Sequence, residues 1–92
     1  MIKIVGNDIF KNGQKIGWVQ SDDIYDSSGR KLGYYSGNDI YNRSGTKIAY
    51  VEGGSIKREN GSTISVEQNR LRITGGNYSD ICRAAIRLLF GD

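Results

Sequence analysis

One short unit of sequence recurs four times in this 92-residue chain. The copies occupy residues 6–20, 21–36, 37–52 and 53–68 and read GNDIFKNGQKIGWVQ, SDDIYDSSGRKLGYYS, GNDIYNRSGTKIAYVE and GGSIKRENGSTISVEQ. Each has an aliphatic residue, a glycine and a second aliphatic residue in turn: Ile9, Gly13, Ile16; Ile24, Gly29, Leu32; Ile40, Gly45, Ile48; Ile56, Gly61, Ile64. A unit this short cannot bury its apolar side alone, so the copies must pack on one another.

The glycine of each copy marks the turn of a β-hairpin. The first copy has Asn12-Gly13, which is typical of a two-residue type I′ turn. The other three copies have one more residue before the glycine, as a type I turn followed by a left-handed glycine bulge requires. Loop length and turn type agree. The sequence therefore predicts a mainly β chain of four tandem hairpins around a pseudo-four-fold axis.

Alternation along the strands assigns two faces to this sheet. The predicted core face holds both aliphatic residues of each copy, followed by Trp18, Tyr34, Tyr50 and Val66. The opposite face carries three aspartates, three aromatic residues and three lysines: Asp8, Asp23, Asp39, Phe10, Tyr25, Tyr41, Lys15, Lys31 and Lys47. Small residues follow on that face, at Gly17, Gly33, Ala49 and Ser65, and they would let neighbouring backbones approach closely.

The sequences on either side of the repeats predict how the fold is completed. Met1–Val5 resembles the second strand of a preceding copy and Leu71–Ile73 the first strand of a following one, so we expect these segments to pair. Residues 77–92 are predicted to form one C-terminal helix, capped by Asn77 or Ser79. Its apolar arc is wide enough to pack on the sheet or on a second copy. The chain is thus expected to be a single domain, residues 1–92, with hairpins over 1–76.

The third copy carries the pattern most fully, with Gly37–Tyr41, a turn at Ser44-Gly45, and Lys47–Val51. It resembles the repeat unit of the bacterial four-fold β-flower domains, and the resemblance extends over residues 1–76. The resemblance implies four hairpin petals around an axis, and it implies no activity. The fourth copy departs from the pattern at Lys57, Val66 and Glu67.

The composition argues against catalysis. The chain has no histidine, which removes imidazole-based catalytic triads and almost all zinc sites. Cys82 is the only cysteine and lies on the apolar arc of the predicted helix, where a buried core residue is expected in place of a nucleophile. No glycine-rich phosphate loop is present. We predict that the protein is not an enzyme and binds no cofactor.

The same features predict a cytoplasmic protein without a membrane segment. A single cysteine allows no internal disulfide, and the first residues turn polar too early for a signal peptide. No apolar run approaches the roughly 20 residues that span a bilayer.

The recurring aspartates and the recurring aromatic–lysine pairs each allow two interpretations. The aspartates either satisfy turn backbones or converge as oxygen ligands of a cation, and we favour the turns. The aromatic–lysine pairs either pack across strands, which we favour, or form a stacking surface for a nucleic acid or glycan. The net charge of +3 permits an anionic partner without requiring one.

From these features we predict a non-enzymatic binding or protein-interaction module. A protein partner or a homo-oligomer formed through the C-terminal helix is compatible with it. The alternative is weak binding of RNA, single-stranded DNA or glycan through the aromatic–lysine face, although a nucleic-acid partner is the less favoured one.

Overall fold

The computed structural model describes residues 1–91, and these form one ten-stranded sheet and two helices. In chain order the elements are β1 (Ile2–Val5), β2 (Asp8–Lys11), β3 (Gln14–Gln20), β4 (Asp23–Asp26), β5 (Lys31–Ser36), β6 (Asp39–Asn42), β7 (Lys47–Glu52), β8 (Ser55–Arg58), β9 (Thr63–Ser65), α1 (Val66–Arg72), β10 (Ile73–Gly75) and α2 (Asp80–Phe90). The strand order is β10-β1-β2-β3-β4-β5-β6-β7-β8-β9, so the chain moves to the adjacent strand at every step up to β9.

The four predicted hairpins are confirmed as β2–β3, β4–β5, β6–β7 and β8–β9, each antiparallel. In the first turn both Asn12 and Gly13 have positive φ, 53° and 79°, as a type I′ turn requires. In the second, Gly29 has φ 89° and donates its N–H to the carbonyl of Asp26 at 3.0 Å. The N–H of Asp26 donates to the carbonyl of Arg30 at 2.9 Å, and the same pair of bonds recurs in the next two hairpins. The predicted turn types are therefore confirmed.

Two segments far apart in sequence add a fifth pair of strands. β1 lies parallel to β10, with Ile2 opposite Ile73 and Lys3 opposite Thr74. β1 also pairs with β2 in the register in which β3 pairs with β4, so β1 takes the place of the second strand of a hairpin. The predicted pairing of the two ends is thus confirmed, with a strand at Ile73–Gly75 in place of Leu71–Ile73. The strands form five pairs, and the expected four-fold arrangement is not confirmed.

A helix that the sequence pattern does not predict stands between β9 and β10. α1 covers Val66–Arg72, so the predicted strand at Leu71 is wrong, and Val66 reaches the core as predicted but from a helix and not from a strand. Ser65 caps this helix, with its hydroxyl oxygen accepting a hydrogen bond from the N–H of Gln68 at 3.3 Å. Serine followed three residues later by glutamine is a recognised helix start, and here it ends the fourth repeat early.

Helix α2 forms the centre of the core. It begins at Asp80 with Ser79 as its cap, three residues later than predicted, and ends before Gly91; residue 92 lies outside the described residues. Four of its residues are fully buried, namely Cys82, Ala84, Ala85 and Ile86. They belong to one cluster with the buried isoleucines of the strands: Ile2, Ile4, Ile9, Ile24, Ile40, Ile56 and Ile73. The predicted packing of the helix on the sheet is confirmed. Within residues 1–91, neither helix has the length and apolar character needed to cross a bilayer.

Bulges in the first three hairpins reverse the faces that strict alternation predicts. In the second hairpin, Ile24 lies opposite Gly33 and Tyr25 opposite Lys31, which leaves Leu32 as an extra residue. Beyond the bulge, Tyr34 pairs with Asp23 and therefore lies on the outward face. The first and third hairpins have the same shift. The assignment of Trp18, Tyr34 and Tyr50 to the core is therefore wrong, and the inner positions belong to Val19, Tyr35 and Val51.

Small residues after the bulge leave room for helix α2 against the sheet. A Cβ at Gly33 would lie 2.3 Å from the carbonyl oxygen of Tyr41 and 2.8 Å from Cδ2 of Leu89. A Cβ at Gly17 would likewise meet the neighbouring strand and the ring of Phe90. The predicted close approach of backbones is confirmed at both glycines, but they lie on the inner face and not on the outward face as predicted. Helix α2 fills the space that they leave.

We predict that Gly33→Ala destabilises the protein by about 1–3 kcal/mol, because the added methyl group has no space between β6 and α2. Urea unfolding measures the change. Ser36→Ala, on the exposed end of the same strand, serves as control and should change stability by less than about 0.5 kcal/mol. Equal unfolding midpoints for the two variants would contradict the proposed packing.

We predict that Ser21→Gly stabilises the protein by about 1 kcal/mol. Ser21 has φ 54° at a junction where the other copies have glycine, with Gly6, Gly37 and Gly53 at φ 57–60°. A residue with a Cβ is strained in this conformation and glycine is not. Ser36→Gly, at a position without positive φ, should instead lose stability in thermal unfolding. A loss at both positions would show that Ser21 is unstrained.

Candidate functional site

The outward face of the sheet carries a continuous row of aromatic and lysine side chains, which we call the ladder. Cross-strand pairs alternate along it with lysine–aromatic steps within β3, β5 and β7, in the order Lys3, Phe10, Lys15, Trp18, Tyr25, Lys31, Tyr34, Tyr41, Lys47, Tyr50 and Lys57. The predicted residues Phe10, Tyr25, Tyr41, Lys15, Lys31 and Lys47 all lie in it. The predicted aspartates Asp8, Asp23 and Asp39 lie on the same face, opposite Trp18, Tyr34 and Tyr50.

Each of the first three hairpins builds the same triad of aspartate, lysine and aromatic ring. In the second hairpin, Nζ of Lys31 lies 3.0 Å from Oδ1 of Asp23 and 4.8 Å from the ring centre of Tyr34. The first hairpin repeats this with distances of 3.1 Å and 5.5 Å, and the third with 3.0 Å and 4.8 Å. In the third, the hydrogen bond to Asp39 raises the pKa of Lys47. Each ammonium group thus stays charged, pairs with a carboxylate and lies over a ring from its own hairpin.

Stacked rings join the first hairpin to the second and the second hairpin to the third. Trp18 stacks on Tyr25 with ring centres 5.4 Å apart, and Tyr34 stacks on Tyr41 at 4.9 Å. Such pairs contribute about 0.5–1.5 kcal/mol beyond the area that they bury. At the third junction Lys57 replaces the second ring, opposite Tyr50. The rings of the ladder are half-buried, and the triads and stacks keep most of them in contact with a neighbouring ring or lysine.

Asp8, Asp23 and Asp39 each pair with a lysine, a contact that neither of the two predicted uses describes. The hairpin turns are capped by other side chains. Oδ1 of Asp26, for example, accepts hydrogen bonds from the N–H groups of Ser28 and Arg30 at 3.0 Å each. In residues 1–91, no three acidic, cysteine or histidine side chains come together as a metal site.

Strict alternation, carried through the bulge, assigns half of the ladder's aromatic residues to the core face. Two signals could have located them. A lysine stands three residues before each, in Lys15/Trp18, Lys31/Tyr34 and Lys47/Tyr50, and a small residue stands immediately before each, at Gly17, Gly33 and Ala49. An isolated glycine inside a strand is a recognised sign of a bulge.

The single cysteine, Cys82, is buried in the core and does not contribute to the ladder. Cys82 is fully buried on α2, and burial raises the pKa of its thiol to about 11, although the hydrogen bond with Tyr35 opposes the rise. Burial also raises the pKa of Tyr35. Because only the thiolate is nucleophilic, Cys82 is unreactive in the folded protein near neutral pH.

We predict that Cys82 in the native protein fails to react with a disulfide reagent such as DTNB at about pH 8, close to the ordinary pKa of a thiol. After unfolding in urea it should react completely. Ser27→Cys adds a thiol in an exposed turn as a control, and that thiol should react at once in the native state. Equal native rates for the two thiols would contradict the burial of Cys82.

Comparison with known proteins addresses the family. No curated protein and no solved structure matches the chain. One family model does match, over residues 2–84, and its description is "5-fold beta-flower protein". The match includes all ten strands, and five-fold repetition agrees with five strand pairs. The resemblance to β-flower domains is therefore right, whereas the repeat count of four is one too low. The chain belongs to the 5-fold β-flower family.

Proposed function

We propose that this protein is a non-enzymatic protein-interaction module that binds its partner through the ladder. The observation that supports the proposal is the row of half-buried tryptophan and tyrosine side chains, fixed by stacking and by ion pairs. Tyrosine and tryptophan dominate the binding energy of protein interfaces. Side chains that are already ordered lose little conformational entropy on binding.

The charge arrangement favours a protein partner over a polyanion. Lys15, Lys31 and Lys47 already pair with aspartates, so phosphate groups would have to compete with these carboxylates. Trp18 and Tyr34 each have a lysine and a tyrosine against the ring, which leaves less ring surface for a stacked base. Weak nucleic-acid or glycan binding is therefore the alternative outcome of the experiment below.

Helix α2 offers less support for an interface. Its apolar residues pack against the sheet, including the half-buried Leu88, Leu89 and Phe90. We therefore place the interaction surface on the ladder. A homo-oligomer is compatible with that surface, and light scattering on the purified protein measures it. A cytoplasmic location stays a prediction.

We predict that exchanging the aspartate and the lysine of two ladder triads weakens partner binding, although the net charge of the protein stays the same. The ladder variant combines Asp23→Lys with Lys31→Asp and Asp39→Lys with Lys47→Asp, which keeps oppositely charged pairs on both hairpins. Immobilised wild-type protein and the variant are incubated with lysate of the source cell, and retained proteins are quantified by mass spectrometry. Proteins specific to the wild type should fall at least about tenfold with the variant, equivalent to about 1.4 kcal/mol.

The matched control exchanges charges on α1, with Glu67→Lys and Arg72→Glu, and it should retain the same proteins as the wild type. Circular dichroism checks that both variants are folded. Retention that is unchanged in the ladder variant would refute the proposal. If retention requires RNA, and the purified protein binds a single-stranded oligonucleotide with steep salt dependence, the nucleic-acid alternative replaces it.

A further inference from the structure

The ladder is incomplete at its β1 end. Because β1 pairs with β2 in the register in which β3 pairs with β4, Lys3 occupies the position that Trp18 holds in the next repeat. Lys3 lies opposite Phe10, so a lysine and an aromatic ring meet where the next two junctions have two rings.

Lys3 also differs from the other ladder lysines in its electrostatic environment. Lys15, Lys31, Lys47 and Lys57 each have a carboxylate oxygen within 2.8–3.1 Å. Among the described residues 1–91, no carboxylate pairs with Lys3, whose neighbour on β10 is Thr74. The component that is missing at this end of the ladder is therefore a carboxylate.

The surface around Lys3 is apolar and exposed. Two large hydrophobic side chains are exposed here, Met1 at 68% and Val5 at 52%. With Lys3, Phe10 and the Asn12-Gly13 turn they line an open groove of about 290 Å³. Contiguous exposed apolar surface rimmed by polar groups marks interaction sites, and the ammonium of Lys3, which pairs with no carboxylate of residues 1–91, adds a charge that a carboxylate would complement.

We propose that this groove binds a partner segment in which a carboxylate stands next to an aromatic or other large apolar side chain. The carboxylate pairs with Lys3, and the apolar side chain covers Met1, Val5 and Phe10. Neither component suffices alone, since an exposed ion pair contributes little without burial and apolar contact alone gives no role to Lys3. This inference rests on the proposed function and names the chemistry of the partner at one end of the ladder.

The probe is the capped dipeptide glutamyl-phenylalanine amide, titrated into isotopically labelled full-length protein and followed by two-dimensional NMR. We expect shifts centred on the amides of Lys3, Val5, Phe10 and Asn12, with weak affinity that decreases as salt is added. Lysyl-phenylalanine amide and glutamyl-serine amide serve as matched probes. Each should bind at least about threefold more weakly, since one lacks the carboxylate and the other the ring.

Two variants test the residues. Lys3→Glu should weaken glutamyl-phenylalanine binding at least about fivefold and improve binding of the lysyl probe. Arg43→Glu makes the same change of charge in an exposed turn of the third hairpin and should leave both affinities unchanged. Equal binding of all three dipeptides, shifts away from the groove, or no shifts at all would overturn the inference. The lysate experiment on the ladder variant is independent of this result, so the proposed function can stand when the groove fails.

Discussion

The β-bulge in the first three hairpins is the constraint on which the rest of the structure depends. One extra residue in the second strand, such as Leu32, reverses the facing of the residues that follow it. The reversal places Tyr34 outward beside Asp23 and Lys31, and it places Gly33 inward against helix α2. The triads of the outward face and the space for the central helix therefore have the same origin. A hairpin in perfect register would provide neither.

The two faces differ in side-chain type, although Tyr35 stands on the inner face with the aliphatic residues. The inner face is built from isoleucines and the small residues of α2, which together form a core without a large ring at its centre. The outward face keeps its rings half-buried by stacking them between hairpins and by laying lysine stems beside them. Burial of apolar area holds the hairpins to the helix, whereas strand pairing and stacked rings hold neighbouring hairpins to each other.

Local sequence signals were sufficient for much of this fold. The hairpins and their turns follow from Asn12-Gly13 and Ser28-Gly29, because turn type depends on a few neighbouring residues. The nine candidate site residues share one face because each lies before the bulge, or pairs across the strands with a residue that does. Features that depend on contacts between distant parts of the chain are harder to predict from the sequence. Alternation alone assigns Tyr34 to the core face because it does not include the extra residue of the bulge. The repeat pattern predicts a strand where α1 begins, because the helix signal of Ser65 and Gln68 interrupts it at only two positions. The fifth strand pair is divided between segments that only the folded chain brings together.

The parallel pairing of β1 with β10 has a consequence for the order of folding. Hairpin contacts join near neighbours and can form while most of the chain is disordered, since closing a short loop costs little entropy. The contact between the Thr74 hydroxyl and the carbonyl of Ile2 spans 72 residues. The pairing of β1 with β10 can therefore form only after the intervening hairpins have folded. During synthesis, β1 therefore waits with one side uncovered until residues 73–75 have left the ribosome, and the core around Ile2 and Ile73 is among the last parts to be sealed.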